Sequence, residues 1–337
     1  MEIDFFRSED YNALADLTKR SFALSAYTVD RHLPRPLYGQ VFFQTVVTRA
    51  LRENSNACLV ARKKDVPLGY IIYGVDLDLS KKFGATLATI ILFCVDAAYR
   101  RQGVGRSLLA RAISLLKSRG VDLLTVGTDC NNLPALTLYQ QAGFITRLTW
   151  GAWRLYPAFA SANGSAREGK PEYRCTPWAG EENALELCRQ IERPLSYFRD
   201  SRLSLRGLVH LRKLLAANLR KDIADQTTRA LIASGTGFWG ERPLGLLAYE
   251  EEGAIEKFYN LETLEKRVYR VSDVIIARNA RGQGIAGQLV HNFCAQALPG
   301  AFFIEAWAAM DDWAAMNVLA KNHFRPAHIA VVLHLWL

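Results

Sequence analysis

The sequence predicts an α/β protein made of two tandem copies of one module. Three observations carry this reading. Strand-like and helix-like stretches alternate along the whole chain. A glycine loop that opens a helix occurs twice, as Arg100-Arg101-Gln102-Gly103-Val104-Gly105 and as Arg281-Gly282-Gln283-Gly284-Ile285-Ala286. Between the halves runs a small, polar stretch, Ala160-Ser161-Ala162-Asn163-Gly164-Ser165, continued by Ala166 to Pro171, which reads as a linker. The spacing supports duplication: Gly103 and Gly284 lie 181 residues apart, and Phe144 and Phe324 lie 180 apart. The expected modules are therefore 1–158 and 171–337, joined by 159–170.

In the first half, a helix is expected over about Glu9 to Phe22 and a second from Tyr38 to Arg52, after the Pro34/Pro36 break. Strands follow near Ala57–Arg62 and Leu68–Val75, then a longer run over Ala88–Val95. Leu108, Leu109, Ile113, Leu115 and Leu116 make the apolar stripe of a helix from Gly103 to Ser118, and Gly120 stops it. Strand Asp122–Gly127, helix Leu133–Gln141 and strands near Phe144–Trp150 and Trp153–Ala158 complete the copy.

The second half repeats the order. Strand Glu172–Cys175 leads to a helix at Glu181–Ile191 and a longer one at Leu205–Leu219. Strands Ala230–Ala233, Leu244–Tyr249 and Val268–Ile276 precede the helix opened by Gly284 and running to Ala297. Strand Ala301–Trp307, helix Asp312–Asn322 and strand Ile329–Leu335 follow.

Composition narrows the function. The net charge of +9 favours anionic ligands, but no Lys/Arg run is dense enough for a nucleic-acid arm, so nucleic acid is not an expected partner. The six cysteines are scattered without a C-x-x-C pair, and the six histidines lack metal spacing, so no metal is expected. The first ten residues do not resemble a signal peptide, and no apolar run is long enough to span a bilayer. A cytoplasmic protein away from membranes, a monomer or homodimer, is the expectation.

The chemistry is concentrated in the segment from Ile90 to Leu109. A buried strand runs into a basic, glycine-containing loop and then into an amphipathic helix. Such a loop places backbone N–H groups at a helix N-terminus, where they and the helix dipole favour a phosphate. Gly103 and Gly105 would let the backbone approach an anion, and Arg100, Arg101 and Arg106 add positive charge. The Gly-Lys-Ser/Thr of a nucleotide P-loop is absent, and a dinucleotide fingerprint would need a third glycine after an early strand.

Arg100, Gly103 and Gly105, and again Arg281, Gly284 and Ala286, resemble motif A of the GNAT family, the Gcn5-related N-acetyltransferases. The run from Asn132 through Ala135 and Tyr139 to Gly143-Phe144 is similar to that family's motif B. The resemblance spans nearly the whole chain as two copies. It implies two modules, each a mixed, mostly antiparallel, split sheet of six to seven strands flanked by helices. It implies acetyl-CoA as acyl donor, lying in a gap between the strands at Ile90–Val95 and Asp122–Gly127. The backbone of Phe93, Cys94 and Val95 would pair with the pantetheine arm. The N–H groups of Arg101, Gln102, Gly103, Val104, Gly105 and Arg106 would hold the pyrophosphate, Asn132 would contact the donor, and Tyr139 would protonate the leaving thiolate. Arg281, Gly282, Gln283, Gly284, Ile285 and Ala286 form the corresponding loop of the second copy.

The acceptor is expected to be a primary amine of a small molecule, met by residues around Ser25–Tyr38 such as Tyr27, Arg31, His32 and Arg35; a protein N-terminus or a tRNA base is open. No carboxylate lies between Thr86 and Val95, which leaves Asp129, Asp76 and Asp78 as candidate bases by proximity alone. Cys130 is read as a structural thiol. The second copy departs from motif B: Leu319 stands where Tyr139 does, Asp312 for Asn132 and His323 for Gly143. Glu305 and Trp307 are its candidate polar groups. Two alternatives remain: catalysis in the second copy with a silent first, as in mycothiol synthase-like tandem members, or an acetyl-CoA-binding protein without turnover.

Overall fold

The computed structural model describes residues 1–22, 43–53, 56–160, 173–178, 185–188, 190, 202–203, 205–237, 240–251 and 266–337. Most of the expected linker and the expected acceptor-lining stretch Ser25–Tyr38 lie outside the described residues. The chain divides into two compact units.

The first unit comprises Met1–Leu148 with Lys257–Asn260 and Ala330–Leu337. Its sheet runs β1 (Glu2–Phe5), β2 (Asn56–Lys63), β3 (Val66–Asp76), β4 (Leu87–Val95), β5 (Leu123–Asp129), and last β12 (Arg325–Trp336), through Ala330–Trp336. Neighbours are antiparallel except β4 and β5, which run parallel. α1 (Tyr11–Phe22), Phe43 and Val47 pack on one face with Leu92 and Cys94. On the other face, the helix Val104–Ser118 buries Leu108, Leu109 and Leu116 against Ala88, Ile90, Leu124 and Val126. A bulge between Ile72 and Tyr73, opposite Ile90 to Leu92, lets residues of β4 face both cores.

The second unit, Thr149–Glu256 and Leu261–Ile329, has the same order. β6 (Ile145–Leu155) pairs through Trp150–Leu155 with β11 (Ala301–Ala309), which is followed across the sheet by β10 (Arg267–Ile276), β9 (Gly240–Glu251), β8 (Arg229–Gly237) and β7 (Arg174–Pro177). Again one pair, β10 with β11, is parallel. Each unit thus has a six-stranded, mixed, mostly antiparallel sheet with helices, as the sequence predicts.

Several expected elements change. The two strands expected after Phe144 are one continuous strand, β6, and Pro157–Ala160 is a helical turn. Gly151, between the two expected strands, lies inside the ladder opposite Ala308. Among the described residues two elements were not expected, β1 and the helix Leu77–Phe83, and strands β8 and β9 extend toward their hairpin through 234–237 and 240–243. The described part of the helix expected over Tyr38–Arg52 is a π-helical turn, Phe43–Val47, before a short α-helix, Thr48–Arg52. The long helix of the second half runs to Ala224, past the expected Leu219.

The end of the chain completes the first unit's core. Leu333 of β12 is fully buried there and lies opposite Val126. Leu333→Ala should cost about 2–5 kcal/mol, the range for truncating a buried leucine. Denaturant unfolding measures the loss, and amide exchange should accelerate over Leu123–Asp129, a segment 200 residues away in sequence.

Candidate active site

In the first unit the parallel ladder joins Leu87, Ala88, Thr89 and Ile90 to Leu123, Leu124, Thr125 and Val126, and stops there. β4 continues to Val95 on β3, and β5 continues to Asp129 on β12. The two strands therefore part after Ile90 and Val126, and their facing edges carry no ladder with each other. Thr89 and Thr125 share a hydroxyl hydrogen bond of 2.8 Å just before the split.

The loop after β4 is built to open a helix. Asp96 caps a 3-10 turn by accepting from Ala98 N at 3.0 Å. Arg101 has φ 62° and Gly103 φ 85°, both left-handed. Gly103 is the N-cap of the helix Val104–Ser118, whose first helical bond runs from Ser107 N to Gly103 O at 3.0 Å. The N–H groups ahead of Ser107 have no intrahelical acceptor and point out of the helix start. Space in front of Gly103 is open: a Cβ there would meet nothing within 4 Å. Its glycine is required by backbone angle. Gly105 is placed differently: a Cβ there would make ordinary van der Waals contact with Leu138, Phe93 and Val95 at 3.4–3.6 Å.

Side chains brace this loop. Arg100 Nε donates to Val95 O at 3.1 Å, so that carbonyl, expected to face the donor's pantetheine arm, already has a partner. Gln102 Nε2 donates to Ala98 O at 2.9 Å, and Arg106 reaches Gln141 at 3.2 Å. Arg100, Arg101, Gln102, Gly103 and Arg106 are exposed, Val104 is buried, and Gly105 is half-buried. Cys94 is buried, and burial pushes its thiol up to about 12.

The helix Leu133–Gln141 follows β5. Asn132 is its N-cap: its Oδ1 accepts from Ala135 N at 3.4 Å, and its amide donates to Thr128 Oγ1 at 3.2 Å. Its placement is that of a capping residue. Tyr139, on the same helix, is 4% exposed and packs against Phe93 and Phe144, with ring centroids 6.4 and 5.5 Å away. Burial raises its phenol well above the usual tyrosine value, so it stays protonated. The structure thus brings Tyr139 against Phe93, the β4 residue just past the split. Of the candidate bases, Asp129 ends β5 and is half-buried, and desolvation raises its carboxyl to about 6. Asp76 is exposed at the far end of β3, and the Asp78 side chain lies outside the described residues. Cys130 is exposed in the turn after β5.

The second unit reproduces the loop in atomic detail. Gly282 and Gly284 have φ 80° and 79°, matching Arg101 and Gly103. Arg281 Nε donates to Ile276 O at 3.5 Å and Gln283 Nε2 to Asn279 O at 3.2 Å, as Arg100 and Gln102 do. Gly284 caps the helix Ile285–Ala297, which opens with Ile285 buried and Ala286 half-buried. β10 and β11 part after Val271 and Ala306, the counterparts of Ile90 and Val126. Asp312 caps the helix Trp313–Lys321 through Ala315 N at 2.9 Å, matching Asn132.

The rest of the second site is rebuilt. The register pairs Arg270 with Glu305, where the first unit pairs Thr89 with Thr125. Glu305, 2% exposed, accepts from Arg154 Nε at 2.8 Å and from Trp307 Nε1 at 2.9 Å, with Arg270 at 3.6 Å. The Trp307 ring stands 4.8 Å from that of His328, whose imidazole burial lowers to about 4. Leu319 replaces Tyr139 and is buried, and Ala309 replaces Asp129. Glu305 was legible as a candidate, but its partners Arg154 and Arg270 were not. The one available signal was that the repeat offset carries Arg270 onto Thr89 and Glu305 onto Thr125.

Among the described residues no cluster of His, Cys, Asp or Glu could hold a metal ion, and no helix is long and apolar enough to cross a membrane.

Known structures share this architecture. Over 99% of its length the chain superposes on 98% of a tandem GNAT protein from the clavulanic acid biosynthesis pathway, with TM-score 0.63 at 16% identity. It superposes equally on 95% of a GCN5-related N-acetyltransferase from Sphaerobacter thermophilus, with TM-score 0.62 at 14% identity. Residues 16–144 match the acetyltransferase (GNAT) family. A 57-residue stretch, 17% of the chain, is 42% identical to [ribosomal protein bS18]-alanine N-acetyltransferase of Escherichia coli K12, and covers 38% of that protein. Another of 88 residues, 26% of the chain, is 32% identical to human N-alpha-acetyltransferase 30, and covers 24% of it. The chain thus spans well under half the length of these relatives.

The Arg154–Glu305 pair gives a direct test of the second unit's design. Glu305→Ala removes the carboxylate that pairs with the buried guanidinium of Arg154 and should lower stability by about 3–5 kcal/mol, the cost of breaking a buried ion pair from one side. Equilibrium unfolding in urea checks this.

Proposed function

We propose that this protein is an N-acetyltransferase that moves an acetyl group from acetyl-CoA to a primary amine, with its working site in the first module. The observation that carries the reading is the joint presence, in that module alone, of a parted strand pair, an open helix start and the buried phenol of Tyr139 beside the split.

The residues fit the donor. The helix start at Gly103 offers N–H groups and a favourable dipole to a pyrophosphate, with open space where a side chain would otherwise stand. The parted edges of β4 and β5 offer backbone groups to an extended amide arm. Arg101 and Arg106 add exposed positive charge nearby. Amide formation then needs three things: a neutral amine, a polarised thioester carbonyl and a proton for the departing sulfur. Tyr139, held neutral by burial, supplies that proton in this reading.

The acceptor class rests on the relatives. Two of them are named for acetylating an alanine of a ribosomal protein and for N-alpha-acetylation, so peptide α-amines join small amines as candidates. The second module keeps the loop but has Leu319 in place of the phenol, which supports a silent copy. The opposite assignment would have to route chemistry through Glu305, a carboxylate already held by two arginines and an indole.

Two measurements test the reading. Tyr139→Phe should lower kcat by about 10²–10⁴-fold, the usual contribution of a positioned acid, with acetyl-CoA affinity by calorimetry unchanged. Gly103→Glu should abolish both binding and turnover, whereas Gly284→Glu should leave turnover in place; loss of turnover from Gly284→Glu alone would move the site to the second module.

A further inference from the structure

The base that frees the attacking amine is the missing part of this site. Tyr139 lies in the core beneath the sheet face that also carries Leu124 and Val126. Thr128 belongs to that same face, since its hydroxyl accepts from Asn132 at the start of the helix that bears Tyr139. Strand alternation then places Thr125, Gly127 and Asp129 on the opposite face. The phosphate loop and its helix, Val104–Ser118, are on the Tyr139 side. A donor held by that loop enters the split from the Tyr139 side, which leaves the other face for the acceptor.

We propose that Asp129 is the general base of the first module, acting on the acceptor face of the split while Tyr139 acts on the leaving-group face. This rests on the acetyl-transfer function proposed above. The amine nitrogen attacks the thioester carbonyl carbon and a C–N bond forms. Its proton passes to the Asp129 carboxylate as the C–S bond breaks, and the thiolate takes a proton from the Tyr139 hydroxyl. The two protein groups return to their starting states by exchanging one proton with solvent.

Three observations support this assignment. Asp129 is the last residue of β5, three positions beyond the end of the ladder with β4, so it stands at the parted end of the sheet. Burial places its carboxyl near 6, where it is ionised at neutral pH yet a competent proton acceptor. The duplication supplies an internal control: the second module keeps the split, the loop and the helix cap but carries Ala309 and Leu319 where the first has Asp129 and Tyr139. An acid and a base that work as a couple are expected to be lost together, whereas a turn-forming aspartate would have no reason to follow the phenol.

Among the described residues the nearby elements carry these ionisable groups. β12, which places Ala330 opposite Asp129, carries His328 and His334 on the same alternating set. The turn carries Cys130, the next helix Tyr139, and the far end of β4 leads to Asp96 and Arg100.

The test compares wild type with Asp129→Asn and Asp129→Glu. Acetyl-CoA affinity is measured by calorimetry, and CoA thiol release is followed from pH 5 to 9 with an alanine-initiated peptide and with glucosamine as acceptor probes. Wild-type kcat should fall below about pH 6. Asp129→Asn should lose about 100-fold or more in kcat and lose that acid limb, with acetyl-CoA affinity unchanged. Asp129→Glu, which keeps a carboxylate, should retain more turnover than the amide and a limb of its own. An Asn variant within threefold of wild type, or one that keeps the limb, overturns the role of Asp129 and leaves acetyl transfer standing. A wild type that neither binds acetyl-CoA nor releases thiol overturns the transfer function itself, and this role with it.

Discussion

A sheet that comes apart leaves backbone N–H and C=O groups without strand partners, and that constraint organises the molecule. Buried peptide groups must be paired, and an open strand edge is an invitation to another chain or ligand. In the first unit the ladder between β4 and β5 ends at Ile90 and Val126. Everything around this point keeps the two edges apart. β3 holds β4 on one side and β12 holds β5 on the other, so neither strand can swing over to close the gap. The glycine loop follows directly from one lip, at Asp96, and the helix bearing Tyr139 follows from the other, at Asn132.

The two modules act as a natural comparison of what the split requires and what chemistry requires. Left-handed residues at 101 and 103, and again at 282 and 284, together with the Arg and Gln braces, are held in both. They are the conditions for starting a helix at that point. The residues at the seam are not held. Where the first module has a light, neutral pair, Thr89 and Thr125, the second has a charged one, Arg270 and the buried Glu305. Gly127 became Trp307, whose indole is fixed to Glu305. This bulky, hydrogen-bonded seam desolvates Arg154 and Glu305, charges that must remain paired.

Much of this was legible in the sequence because the signals were local. The loop glycines announce left-handed angles, and the common offset of Gly103/Gly284 and Phe144/Phe324 announces a duplication. The caps Asn132 and Asp312 are the residue types that start helices. What stayed hidden was non-local. No window around Leu333 or His334 reveals that this strand lies beside β5, because pairing across 200 residues leaves no periodic trace. The partners of Glu305 come from β6 and β10, and only register brings them together. Asp129 reads from sequence as a candidate base by proximity alone, and only the fold gives its strand face and its burial.

The placement of β12 bears on why the second module persists without the phenol. Residues 330–337 belong to the first unit, where Val331 and Leu333 join the core that holds Tyr139 and Phe144. If β12 were removed, Gly127 to Asp129 would lose their antiparallel partner, and the lip of the split carrying Asp129 would have no ladder on either side. A strand end with no partner frays. A requirement for an intact split in the first module would then also hold the chain that delivers this strand, whatever side chains the second module carries at Ala309 and Leu319. The retained fold and the decayed seam of the second copy are both expected from that one dependence.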